Sequence, residues 1–174
     1  TVYNPDQADS DFDGVGDACD PDFLPDLSVI SMSAPSRAER GDSVLVEAEV
    51  SNAGVGLSSF PVAFHLSIDQ EVDADMDSQV GSCWIEDLAG GIEASCSPIN
   101  AVIPEGLPQA GEQGRGPFYW IACADSIDGV YEGDETNNCL VHDELFLIPE
   151  PRAIIAAFTA LLALSILRGL IRRP

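Results

Sequence analysis

The sequence contains no lysine, and its seven basic residues are all arginines. None of them comes before Arg37. Thirty acidic residues stand against these seven, for a formal net charge of −23. Four of the arginines (Arg152, Arg168, Arg172 and Arg173) follow Pro151, where there is no acid. Residues 1–151 therefore set three arginines against all thirty acids, a net of −27. Such a body repels nucleic acid and anionic membrane surfaces, so no nucleic-acid partner is expected, and it attracts divalent cations. Histidine is scarce as well, with only His65 and His142. There is no CxxC, so the residue set for a zinc site is missing. Neither histidine sits in a recognisable nucleophile–base motif, and the expectation is a protein without catalytic residues. The chain opens on Thr1 rather than Met and shows no basic segment leading into an apolar run, so no signal peptide is visible.

Five cysteines are present, an odd number: Cys19, Cys83, Cys96, Cys123 and Cys139. Cys83 and Cys96 flank LAGG (88–91), a turn signal. Cys123 and Cys139 flank SIDGVYEGDETNN, also rich in turn residues. Several pairings are open to four cysteines; the local one needs only adjacent strands and places each pair across a hairpin. Two hairpin disulfides imply an oxidising compartment. Cys19 is then left over, and its expected partner lies upstream of Thr1, in a longer gene product.

Composition divides the chain into three zones. Residues 1–25 are rich in Asp, Gly and Pro. Residues 26–148 show strand-like runs between turn signals. Residues 152–174 are apolar and end in arginines, with Pro149, Glu150 and Pro151 at the junction. The middle zone has a period of two. In SVLVEAEVSN (43–52), Val44, Val46, Ala48 and Val50 alternate with Leu45, Glu47 and Glu49. In FPVAFHLSID (60–69), Phe60, Val62, Phe64, Leu66 and Ile68 alternate with Ala63, His65 and Ser67. Further candidate strands are 27–32, 80–88, 92–103, 116–125 and 138–148. About seven short alternating strands without an amphipathic helix predict an immunoglobulin-like antiparallel β-sandwich. Trp84, Trp120, Phe64 and Phe118 are expected in or beside its core, and His65 on its solvent face.

The first zone carries DSDFDGVGDACD at residues 9–20, five aspartates with no neighbouring cation. Numbered from Asp9, the odd positions 1, 3 and 5 are Asp9, Asp11 and Asp13; Gly14 is sixth, Val15 seventh, Asp17 ninth and Asp20 twelfth. This is the ligand register of a calcium loop. Ca²⁺ takes roughly six to eight oxygens, and alternate carboxylates on a tightly curled backbone converge on one point. Gly14 permits the bend, the Val15 carbonyl supplies a backbone oxygen, and Asp20 replaces the usual longer Glu. Pro5 before the loop, with Pro21 and Pro25 after it, disfavours the flanking helices of an EF-hand. Two further acidic stretches are weaker candidates. DQEVDADMD holds Asp69, Asp73, Asp75 and Asp77 as a possible second metal site, but lacks the sixth-position glycine. YEGDETNN holds Glu132, Asp134, Glu135, Asn137 and Asn138, where Asp and Asn also serve as turn residues.

Three family resemblances follow from these residues. NPDQADSDFDGVGDACDPD (4–22) resembles a thrombospondin type 3 repeat, which implies Ca²⁺ held by Asp9, Asp11, Asp13, Val15, Asp17 and Asp20. Residues 26–148 resemble the CARDB domains, bacterial adhesion-related and immunoglobulin-like, through PDLSVISMSAP, VEAEVSNAGVG, FHLSID, LAGG, FYWIACAD and VYEGDETNNC in order. That resemblance implies surface binding or spacing rather than catalysis. The end, PEPRAIIAAFTALLALSILRGLIRRP, resembles the PEP-CTERM sorting signal of Gram-negative bacteria. It implies recognition of Pro149, Glu150 and Pro151 by an exosortase, removal of the apolar helix, and release to the surface or matrix. Residues 153–171 span roughly 28 Å as a helix, close to the roughly 30 Å of a bilayer core. The terminal arginines would stay cytoplasmic and leave the acidic body outside. The resulting expectation is a non-catalytic, calcium-binding cell-surface or extracellular-matrix protein of adhesion type. The alternative is the accessory end of a larger secreted enzyme whose catalytic domain lies upstream.

Overall fold

The computed structural model describes residues 8–9, 12, 14–17, 20, 23–73, 76–107 and 116–149. Seven strands follow one another: β1 (Leu27–Ser33), β2 (Ser43–Asn52), β3 (Leu57–Ser67), β4 (Ser78–Ala89), β5 (Ile92–Val102), β6 (Tyr119–Ala124) and β7 (Cys139–Val141). They form two antiparallel sheets, one in the order β1-β2-β5 and the other β4-β3-β6-β7. This is the predicted sandwich, and among the described residues no α-helix interrupts it. The calcium loop's Asp11 and Asp13, and the whole apolar stretch after Pro149, lie outside the described residues.

The alternation of β2 sets the inner face of the first sheet. Val46, Ala48 and Val50 are buried while Leu45, Glu47 and Glu49 face solvent. β3 does the same for the second sheet with Phe60, Val62, Phe64 and Leu66, all fully buried. Between the sheets Trp120 meets Phe146 edge-on, with ring centroids 5.4 Å apart, and Phe118 lies 6.4 Å from the same ring. The indole N–H of Trp120 donates to the Pro35 carbonyl at 3.0 Å, so the largest core side chain buries no unpaired donor.

Asn52, at the end of β2, is fully buried yet satisfied. Its Oδ1 accepts from Asp26 N (3.1 Å) and Gly54 N (3.2 Å), and its amide donates to the Leu88 carbonyl (3.3 Å). The following Gly54 has no room for a side chain, because a Cβ there would stand 2.2 Å from the Leu24 carbonyl oxygen. The SNAG sequence thus presses the chain entering β1 against the β2–β3 turn.

Three sequence expectations are corrected. Trp84 is 56% exposed rather than core. Its neighbour Cys83 turns inward to reach Cys96, and successive strand side chains point to opposite faces, so Trp84 must point out. His65 is half-buried rather than open to solvent. The run 138–148 is a strand only over Cys139–Val141; beyond it, isolated bridges hold Phe146 to Phe118 and Leu147 to Arg37.

Candidate functional site

Both expected disulfides are present, Cys83–Cys96 and Cys123–Cys139. The second lies across a hairpin, with Cys123 directly opposite Cys139 in the β6–β7 ladder. The first does not. β4 and β5 follow one another through the Gly90–Gly91 turn but belong to different sheets, so this bridge joins the edges of the two layers. Sequence alone gave the pairing but not the corner between the strands.

The described part of the 9–20 loop is tightly curled. Asp17 N donates to the Ala8 carbonyl at 2.8 Å, closing the segment, and Gly14 N donates to Asp9 Oδ2 at 3.2 Å. Gly14 has φ +95°, a conformation that favours glycine at this bend. Asp9 Oδ1 is buried and accepts no hydrogen bond. Asp20 is 3% exposed, and its carbonyl accepts from Phe23 N (3.0 Å). Val15 is exposed and Asp17 half-buried.

In DQEVDADMD, the described aspartates build turns. Asp69 Oδ1 accepts from the Ser67 hydroxyl (3.2 Å) and from Glu71 N (3.1 Å). Asp77 Oδ2 accepts from Asp73 N (2.8 Å), while Asp77 N and Met76 N both donate to the Asp73 carbonyl. Asp75 lies outside the described residues. The side chains of YEGDETNN divide by role. Asp134 Oδ1 accepts from Thr136 N (2.9 Å) and its hydroxyl (2.6 Å), an Asx-type turn that holds its carboxyl below the usual aspartate value. Glu135 Oε1 accepts from Glu132 N (3.1 Å), and Asn137 donates to Asp26 Oδ1 (2.7 Å).

Glu132 turns inward and is 4% exposed. Its Oε2 accepts from Leu27 N (2.6 Å) and its Oε1 from the Asn138 amide (2.8 Å). Burial, opposed by these two bonds and reinforced by Glu135 and Asp125 nearby, pushes its pKa from 4.5 to about 7. A raised carboxyl favours the folded state in its protonated form. The stability it contributes is complete below pH 4.5 and is lost as pH rises through about 7. In EDTA, the wild type should therefore gain melting temperature between pH 7.5 and pH 5. Glu132→Gln should flatten that gain, and parallel thermal scans at the two pH values measure the difference. Composition gave no hint of this residue's burial; the only signal was its place two residues after the half-buried Val130.

The two acidic stretches, 69–77 and 131–138, are well separated in sequence, yet both contribute to one cleft of about 640 Å³. Asp77 and Val72 line it from the first stretch, Glu135 and Asn138 from the second, Asp125 and Asp128 from the turn that follows β6, and His65 from β3. His65 titrates below its ordinary value because it is partly buried, with Asp77 opposing the shift.

The fold and these sites define an extracellular-type β-sandwich module. The chain belongs to the CARDB family, which it matches over residues 24–142. Among solved structures it is similar to the CARDB domain of a Pyrococcus furiosus protein in complex with di-metal ions: 18% identity, 72% of this chain and 90% of that one covered, TM-score 0.49. It is also similar to the 272–376 domain of a putative cell surface protein from Methanosarcina acetivorans, at 19% identity with 74% and 95% covered and TM-score 0.43. A β-glucosidase from Listeria innocua matches at 14% identity over 72% of this chain and 16% of that chain, TM-score 0.44. No curated protein matches. Family and disulfides together place the module among extracellular or cell-surface proteins.

Proposed function

We propose that the chain is a non-catalytic, calcium-binding module of a bacterial cell surface or extracellular matrix, with an adhesive or spacing role. The observation that carries the calcium reading is Asp9. One of its oxygens fixes the loop through Gly14 N, and the other is buried with no donor. A buried carboxylate oxygen without a partner is costly, and a cation removes the cost. The residues that would hold Ca²⁺ are Asp9, Asp11, Asp13, Asp17 and Asp20 through carboxylates and Val15 through its carbonyl. The ion would supply the counter-charge that the first 36 residues lack. The sorting-signal reading of Pro149, Glu150 and Pro151, with exosortase as processing partner and the apolar stretch as a transient inner-membrane anchor, rests on the sequence pattern.

Calcium should raise the melting temperature of the oxidised protein. The gain is about 2.7 kcal/mol when free Ca²⁺ is about a hundredfold above Kd. Asp13→Ala should cut the gain sharply. Scans in EDTA and in millimolar Ca²⁺ decide it: an unchanged calcium response in Asp13→Ala would overturn the loop as a site.

A further inference from the structure

The cleft beside β6 holds two side-chain oxygens that the loop's own hydrogen bonds leave over. Asp125 is 5% exposed. Its Oδ2 accepts from Val130 N at 2.7 Å, while its Oδ1 is buried with no hydrogen-bond partner. Asn138 is 9% exposed. Its amide nitrogen is committed to Glu132 Oε1, which fixes the side-chain orientation and leaves Oδ1 buried and without a donor. Both residues line the same cleft, and both orphaned atoms are acceptors. Asp77, Asp128 and Glu135 line the same cleft.

We propose that this cleft is a second hard-cation site, taking Ca²⁺ through Asp125 Oδ1 and Asn138 Oδ1, with Asp128, Glu135 and Asp77 supplying charge and water completing the shell. A bound water could donate to the two orphaned oxygens, but it would leave the negative charge of the cleft uncompensated, and among the described residues no Lys or Arg lines it. A cation answers both needs. The donor set also decides which cation. Cys123 and Cys139 are tied up in their disulfide, so neither offers a thiolate. Among the described residues no three His, Cys, Asp or Glu side chains converge on one point, so Asp128, Glu135 and Asp77 act through charge and bound water, not as direct ligands. The direct donors, an amide and a carboxylate oxygen with water, suit Ca²⁺ rather than zinc. The site belongs to the sandwich and does not depend on the 9–20 loop.

The test uses the full, oxidised chain, labelled for NMR and stripped with EDTA, with substoichiometric Mn²⁺ as paramagnetic probe. The amide signals of Asp77, Asp125, Val130 and Asn138 should broaden, and excess Ca²⁺ should restore them. Asp125→Asn keeps the shape and an acceptor for Val130 N but removes the charge; it should weaken binding by about tenfold or more. The exposed Asp128→Asn should weaken it in the same direction, which guards against a folding defect in the first variant. Asp13→Ala should leave the cleft response intact. Cleft signals that stay sharp while those of residues 9–20 broaden would overturn the proposal without touching the loop. Broadening that Ca²⁺ fails to reverse, or that persists unchanged in both Asp variants, would overturn it as well.

Discussion

Trp120→Ala should cost about 3–5 kcal/mol, a large share of the roughly 5–15 kcal/mol that holds a domain folded. Trp120 is fully buried between the sheets, in edge-on contact with Phe146. Removing it leaves a void that neighbours in two hydrogen-bonded layers cannot close, and the Pro35 carbonyl loses its donor. Trp120→Phe should recover much of the packing but not the hydrogen bond, and should lie between wild type and alanine. Urea unfolding followed by circular dichroism gives the three values directly. A loss below about 1 kcal/mol in Trp120→Ala would mean that the inter-sheet packing is not what holds the layers together.

The double substitution Cys83→Ser/Cys96→Ser should cost about 2–4 kcal/mol, or roughly 10 °C in melting temperature. The cross-linked loops of the two disulfides are of similar length, with sequence separations of 13 and 16, so chain entropy alone predicts nearly equal losses. Their positions differ. Cys123 and Cys139 face each other within a ladder already held by hydrogen bonds, whereas Cys83 and Cys96 join two sheets whose described strands do not pair with one another. Hydrogen exchange should therefore rise along the edges of β4 and β5 in the first double variant, and only near β7 in the corresponding Cys123→Ser/Cys139→Ser protein. Equal exchange patterns would show that the bridges act only on the unfolded chain.

Local periodicity carried most of the fold. β2 runs over the very residues, 43–52, that alternation marks, and β1, β4 and β5 lie within a few residues of their predicted ends. Alternation also read the core face of β3 correctly. It failed at Trp84, where hydrophobicity was weighed without the parity that Cys83 imposes. It failed again after Val141, where apolar residues such as Phe146 and Ile148 pack into the core from chain that is not regular strand. The turn chemistry of Asp69 and Asp134 was foreseeable from residue type. The cleft was not. Asp77 and Asp125 come together because β3 pairs with β4 on one side and β6 on the other, and no local pattern announces that order. Nor does composition separate Glu132, which turns inward to Leu27 N, from Asp134, which closes a surface turn two residues later.

The entry to β1 has a mechanical meaning. Before its first ladder rung, the chain is stitched down residue by residue: Leu24 to Val55 N, Pro25 to Gly133 N, Asp26 to Ala53 N, Asn52 and Asn137, and Leu27 to Glu132. These attachments run to two separate segments, the end of β2 with its following turn and residues 132–137 ahead of β7, so freeing the chain before Leu27 means releasing it from both sheets' loops at once.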